Sequence, residues 1–330
     1  MSTKGRLNVI AHRPEGLKVT TMKAARIHAW GNPEVVQIED TPVPEPKQDE
    51  VLIQVRAASV NPVDWAVVQG YMKSFYSLPL TPGSDAAGDV VAVGSGVTHV
   101  SVGDAVYAST GGGSFAQYAI VAGKDVARKP ASLDYVTAAA VPIVAQTAWQ
   151  ALFAVGQLKA GQKVLIHAAA GGVGHIAVQL AKWKGAYVIG TASAQNESFV
   201  RGLGADEFIN YNTTRFEDVV HDADVVLVSV GGDTLDRSYS AVKPGGIVVT
   251  ITGQPSEEKA KARGARTASA MRRNSNRAEL DEITRLIDAG TVKPTVSAVY
   301  PLERVREALG AIATHHTRGK IVVTVPDGGG

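Results

Sequence analysis

The chain contains no cysteine. That excludes disulfides, thiolate nucleophiles and every metal site built on sulfur. An excess of charge is also missing: 33 basic residues face 31 acidic ones, for a formal net charge of +2. So small an excess does not make a nucleic-acid surface without a clustered patch. The one visible basic cluster, Arg263 to Arg277, is short and interrupted and reads as a solvated face. No apolar run approaches the roughly 20 residues that a membrane-spanning helix needs. The first residues lack a compact apolar segment with a small-residue cleavage site, so the expected location is the cytosol. Residues 1 to 21 are polar and irregular and read as an N-terminal extension.

What is present is the material of an ordinary globular protein. At 330 residues and 45% hydrophobic content the chain is long enough for two packed cores. From Lys23 to about Tyr118, short β-rich runs (AARIHAW, VLIQVRA, GDVVAVG, DAVYAS, FAQYAIV) are divided by the breakers TPVPEP and LPLTPG. This predicts a compact β-rich unit. After Lys129 the pattern turns helical, with Ser132 expected as N-cap and Pro142 as the stop. From about Gln146 to Gly290 the apolar runs VLIHAA, AYVIGTA, EFINY, DVVLVSV and GIVVTIT alternate with helix-like stretches. Such alternation makes a parallel sheet covered by helices on both faces. The tail from Pro294 to Val325 returns to strand, helix and strand, and is read as rejoining the first unit. The expected fold is therefore α/β, a β-rich domain of residues 22–145 and 291–330 around a doubly wound parallel domain of residues 146–290.

The segment KVLIHAAAGGVGHIAVQLA, Lys163 to Ala181, joins an apolar strand, a glycine cluster and an amphipathic helix in that order. Gly172, Gly174 and Ala177 satisfy G-x-G-x-x-G/A. The first glycine permits the tight turn, the second lets backbone approach a pyrophosphate, and the third position must be small for helix and strand to pack. The helix N-terminus then offers free N–H groups to an anion. Ala170, Gly171, Gly172, Val173 and Gly174 are accordingly candidate dinucleotide contacts. In an NAD site a carboxylate ends the second strand, about 20 residues on, and holds the ribose 2′-hydroxyl. Here that strand ends at Ser193, and no acid occurs from Tyr187 to Asn196. Small neutral Thr191, Ser193 and Asn196, with Tyr211 after the next strand, suit the 2′-phosphate of NADPH. No lysine or arginine adjoins Ser193 in sequence; Arg201 and Arg215 are the basic residues within reach only if the fold allows it.

Read with the rest of the chain, these residues resemble the medium-chain dehydrogenase/reductase superfamily, in its zinc-free quinone oxidoreductase and alkenal/enone reductase branch. The resemblance covers about residues 22 to 325. It is carried by ASVNPVDW (58–65), PGSDAAGDVVAVG (82–94), VGDAVYA (102–108), GSFAQYAIV (113–121), AAAGGVGHIAVQLAK (168–182), LGAD (203–206), VKPGG (242–246) and RGKIVV (318–323). It implies a GroES-like catalytic domain formed by both chain ends, a Rossmann domain between them, an active site in the cleft, and a homodimer joined edge to edge through the strand near Thr267 to Met271. Zinc-dependent relatives place a cysteine near the start of the segment matching Ser59 to Asp64 and a His-Glu pair at Ser84 and Asp85. This chain has no such ligands, and none of His28, His99, His167, His175, His221, His315 and His316 shows ligand spacing. No metal is expected.

By the same resemblance Asn61 and Asp64 lie beside the nicotinamide and Tyr71 is a candidate proton donor. Turn capping, a structural hydrogen bond and service as a pocket wall are the respective alternatives. Thr147, Val230 and Ile251 match nicotinamide-contacting or wall positions. Lys320 either reaches the cofactor or is simply a charge at a strand start. Without a Lewis acid to polarise a carbonyl, reduction of a conjugated system is the expected chemistry, because its charge delocalises and ordinary hydrogen-bond donors suffice. The expectation is hydride transfer from NADPH to a quinone or to the C=C bond of an α,β-unsaturated carbonyl. A pathway-specific enoyl reductase and a non-catalytic NADPH-binding protein are the alternatives. The expected partner is a small molecule, with no nucleic acid and no membrane.

Overall fold

A computed structural model describes residues 19–271, 275–314 and 317–326. Residues 1–18 of the expected N-terminal extension, and the pair His315 and His316, lie outside the described residues. The chain builds two large sheets. The first has seven strands and draws on both chain ends. Its central strand Glu50–Val60 pairs antiparallel with Asp85–Val93, with Tyr118–Ala122 and with the late strand Lys320–Thr324, which in turn pairs parallel with Val296–Pro301. Strand Glu50–Val60 is buried along most of its length, as a strand covered on both faces must be. One core, with Ile53, Val55, Val106, Phe115, Val121, Ile321 and Val323, lies on this sheet.

The second sheet has six strands, all parallel, in the spatial order Glu207–Asn210, Tyr187–Ala192, Lys163–Ile166, Ala223–Val228, Val242–Thr250, Arg266–Ser269. Numbered along the chain this is 3-2-1-4-5-6, the doubly wound dinucleotide-binding order, whose ligand crevice opens at the carboxyl ends of the strands where the order reverses. Strand Lys163–Ile166 sits at that reversal and feeds directly into the glycine cluster. Helix Gly172–Trp183 follows, buried along Gly174 to Ala181. Among the described residues no helix is long and apolar enough to cross a membrane.

Two local expectations change. Asp134, not Ser132, caps the helix Tyr135–Ala139: its carboxylate accepts from the Thr137 N–H at 2.7 Å. Ser132 instead donates both its N–H and its hydroxyl to Asp288, at 3.0 and 2.7 Å. Pro142 does more than stop that helix. It opens the next one, Pro142–Trp149, from its first turn, where its missing N–H costs nothing. The two sheets are tied together by the buried Tyr107, whose hydroxyl donates to the Leu280 carbonyl at 2.9 Å and lies 2.8 Å from the Thr284 hydroxyl.

Candidate active site

The dinucleotide turn is built by backbone contacts that leave no room for side chains. Ala168 takes a left-handed conformation with φ 47°, and the Gly171 N–H donates to its carbonyl at 2.8 Å. A Cβ on Gly174 would lie 2.1 Å from that same carbonyl oxygen. Gly171 is the residue before the helix and Gly172 its first residue, so the free N–H groups of the first turn face the crevice. Ala170 and Gly174 are buried, and Gly171, Gly172 and Val173 are half-buried. These features fit a pyrophosphate that must approach bare backbone.

Beside this turn lies His175, which is buried and neutral. Its Nε2 accepts from the Thr295 N–H at 3.2 Å, which leaves Nδ1 to donate to the Gly171 carbonyl at 2.9 Å. Burial pulls its pKa down to about 4. The imidazole thereby pins the dinucleotide helix to the returning tail.

At the second strand's tip the candidates divide. Thr191 is buried and faces inward: its hydroxyl lies 3.2 Å from His167 Nδ1, so it is withdrawn from the ribose edge. Ser193 and Asn196 are half-buried and joined, Asn196 Nδ2 donating to Ser193 Oγ at 3.1 Å. Tyr211 is 52% exposed, and its N–H donates to the Ala192 carbonyl next to Ser193. A basic residue from far along the chain lies against this strand tip. Arg318 Nε donates to Asn196 Oδ1 at 2.8 Å and its NH2 to the Gln195 carbonyl at 3.2 Å, with the guanidinium over the Phe199 ring. Arg201 and Arg215 are committed to Glu197 and Glu217. Arg318 belongs to the RGK segment, 122 residues after Asn196 in the chain.

Below the crevice a buried polar cluster gathers Ser59, Asn61, Asp64, Ser84, Asp85 and Lys320. Asn61 and Asp64 share one turn, since Pro62 starts the helix Pro62–Val68 and the Asp64 carboxylate accepts from the Asn61 N–H at 2.8 Å. Ser84 Oγ donates to the other Asp64 oxygen at 2.6 Å. The Asn61 carboxamide is held from both sides: Lys320 Nζ donates to its oxygen at 2.6 Å, and its nitrogen donates to Asp85 at 2.9 Å. Asp85 also accepts from Ser59 Oγ at 2.9 Å and from the Ile143 N–H at 3.0 Å.

Burial dominates the electrostatics here. It pushes the Asp64 carboxyl up to about 7 against the hydrogen bonds from Ser84 and Asn61, and Asp85 up to about 6 against the Lys320 ammonium. It pulls Lys320 down, while both carboxylates resist. Lys320 is a charge at a strand start, opening Lys320–Thr324, and its ammonium is turned onto Asn61 and the Val60 carbonyl.

Tyr71 is not part of this cluster. It is 73% exposed, with its ring against Trp65 at 5.6 Å. The phenol close enough to sense Asp64 is Tyr76: burial first and the Asp64 charge second raise its pKa, and its hydroxyl donates to the Gly111 carbonyl at 3.4 Å. No regular sequence pattern marks the loop that carries Tyr76. Thr147 is half-buried on the helix Pro142–Trp149, and Val230 and Ile251 follow the carboxyl ends of strands Ala223–Val228 and Val242–Thr250. Ile251 donates its N–H to the Val228 carbonyl at 3.0 Å. Val230 and Ile251 thus lie at the carboxyl ends of two neighbouring strands. Among the described residues no group of three or more His, Cys, Asp or Glu could hold a metal ion.

Two family models match the chain: the alcohol dehydrogenase GroES-like domain over residues 47–131 and the zinc-binding dehydrogenase over residues 203–323. The chain is 37% identical over 317 residues to the chloroplastic NADPH-dependent alkenal/one oxidoreductase of Arabidopsis thaliana, covering 92% of this chain and 79% of that protein. It is 34% identical over 306 residues to a quinone oxidoreductase of Homo sapiens, covering 87% and 92%. In structure it is similar to the quinone oxidoreductase from Coxiella burnetii, with a TM-score of 0.86 at 34% identity over 93% of this chain and 100% of that one.

Proposed function

Because the chain belongs to the medium-chain dehydrogenase/reductase superfamily, in the branch of the quinone and alkenal/one oxidoreductases, we propose that it is a zinc-independent, NADPH-dependent reductase of quinones or of the C=C bond of α,β-unsaturated carbonyls. The observation that carries the cofactor reading is Arg318 at the tip of the second Rossmann strand, bonded to Asn196 beside Ser193, where an NAD enzyme would keep a carboxylate. A guanidinium there is matched to a phosphate in charge and geometry. Relatives of both substrate classes support the electrophile. We assign residues 22–145 and 291–330 to the catalytic domain and 146–290 to the dinucleotide domain. The edge strand Arg266–Ser269 is the surface on which a homodimer would form.

Bound NADPH supplies the hydride. The chain's own residues do the rest. Gly171 to Gly174 present backbone N–H groups to the pyrophosphate, and Thr147, Val230 and Ile251 wall the nicotinamide side. Both ends of the Asn61 carboxamide are occupied, by Lys320 and by Asp85. Asp64 holds a proton near neutrality, and the Tyr76 hydroxyl, close enough to sense the Asp64 charge, is the candidate donor. A conjugated acceptor spreads the incoming charge, so such donors suffice without a Lewis acid.

The test is NADPH consumption by metal-analysed protein against an ortho-quinone, a para-quinone, a short enone, a 2-alkenal and a saturated ketone, with NADH in parallel. Turnover of a quinone or enone with NADPH preferred is the expected result. Reduction of the saturated ketone alone, or stoichiometric zinc, would overturn the proposal; tight NADPH binding with no turnover at all would point to a non-catalytic binder.

A further inference from the structure

The tail that carries Arg318 makes a second connection, from the dinucleotide turn to the substrate loop. Gly319 donates its N–H to the Ala170 carbonyl at 2.8 Å, so the tail is bonded to the turn itself. The next residue, Lys320, runs its alkyl stem past Gly172, where a Cβ would lie 3.3 Å from Lys320 Cδ. Its ammonium ends on the other side of the crevice floor, on the Val60 carbonyl at 2.8 Å and Asn61 Oδ1 at 2.6 Å. One side chain, 2% exposed, thus lies against Gly172 of the dinucleotide turn and holds Asn61, the residue before the helix Pro62–Val68.

We propose that Lys320 is a positioning residue that makes occupancy of the dinucleotide turn order the substrate loop from Ala58 to Val68, so that cofactor binding prepares the substrate site. The inference rests on the dinucleotide reading above. Its direction follows from charge. Desolvation disfavours the buried ammonium, and only Asp85 and Asp64 oppose that, while His175 beside it is neutral. An anion at Gly171 to Gly174 adds a third favourable charge in a site of low dielectric. That strengthens the hold of the ammonium on Asn61 and Val60, whose segment gives up its motion as the crevice fills.

The experiment is hydrogen–deuterium exchange of residues 58–68, without and with saturating NADPH, together with an NADPH fluorescence titration. Wild-type protein shows slower exchange of this segment when NADPH is bound. In Lys320→Met, NADPH still binds, the segment's protection no longer responds to it, and kcat falls about ten-fold through lost orientation. Asn61→Ser breaks the same link from the other end without altering a buried charge, and gives the same loss of response; it decides the matter if Lys320→Met does not fold. NADPH-induced protection that persists in the variants would overturn the proposal, as would a Lys320→Met protein unable to bind NADPH, which would put the ammonium to work on the dinucleotide instead. A wild-type protein that binds no NADPH would refute the dinucleotide reading itself, a distinct result.

Discussion

Replacing Arg318 by glutamine should convert a protein selective for NADPH into one nearly indifferent to the 2′-phosphate. The guanidinium is preset: its Nε is held 2.8 Å from Asn196 Oδ1, its NH2 reaches the Gln195 carbonyl, and it lies over Phe199 with 5.3 Å to the ring centroid. Little rotamer freedom remains to be lost on binding a phosphate. A charge-assisted hydrogen bond contributes about 1.5–3 kcal/mol, and the exposure of this site, with its screening by salt, argues for the lower end. That corresponds to a rise of roughly ten-fold in the Kd for NADPH at moderate ionic strength, with no change for NADH, which offers no phosphate there. Fluorescence titration with both dinucleotides at two salt concentrations measures this directly. The NADPH affinity of the wild type should fall with salt more steeply than that of the variant. Equal losses for NADPH and NADH, or no loss for either, would show that Arg318 does not meet the 2′-phosphate.

Gly174→Ala places a methyl 2.1 Å from the Ala168 carbonyl oxygen, a backbone atom that cannot move aside, so NADPH binding should be lost and the melting temperature lowered in a thermal scan. Tyr76→Phe should lower kcat for an enone about ten-fold or more, as expected on removing a proton donor. Tyr71→Phe should leave kcat unchanged; the reverse pattern in steady-state rates would return the donor role to Tyr71. Asp64→Asn tests the buried carboxyl through the pH dependence of stability. The folded-state pKa of about 7 exceeds the ordinary 3.8, so the stability Asp64 contributes is present below pH 4 and lost as pH rises to 7. Roughly three pH units at 1.4 kcal/mol each set a ceiling of about 4 kcal/mol. His167 and His175, lowered to about 3 and 4, act oppositely, since their stability is present above pH 6.5 and is lost on acidification. Denaturant melts of Asp64→Asn should therefore gain stability from pH 4 to 6.5 more steeply than the wild type. Parallel curves would mean that the carboxyl titrates normally.

The parallel sheet was legible because each strand is a short apolar run bounded by helix signals, and the glycine turn because its chemistry needs bare backbone at fixed spacing. The short edge strand Arg266–Ser269 is polar and came only through resemblance. Boundaries set by capping were less legible: Ser132 and Asp134 are both acceptable caps, and only the position of Asp288 determines which one turns to the helix. Site residues within one motif, Asn61 with Asp64, were readable together. The contacts of Arg318, Tyr76 and Lys320 were not, because each joins segments far apart in the chain. Thr191 shows the converse error. A small polar residue at a strand tip suits a ligand, yet Thr191 is buried like most of Tyr187–Ala192 and its hydroxyl lies 3.2 Å from His167 Nδ1.

The central claim, conjugate hydride transfer from NADPH, is tested most directly by where the hydride goes. An α,β-unsaturated ketone incubated with the protein and NADPH deuterated at the transferable C4 position should yield the saturated ketone with deuterium on the β-carbon, as read by NMR. Deuterium on the carbinol carbon of an allylic alcohol, or unlabelled product, would contradict the account.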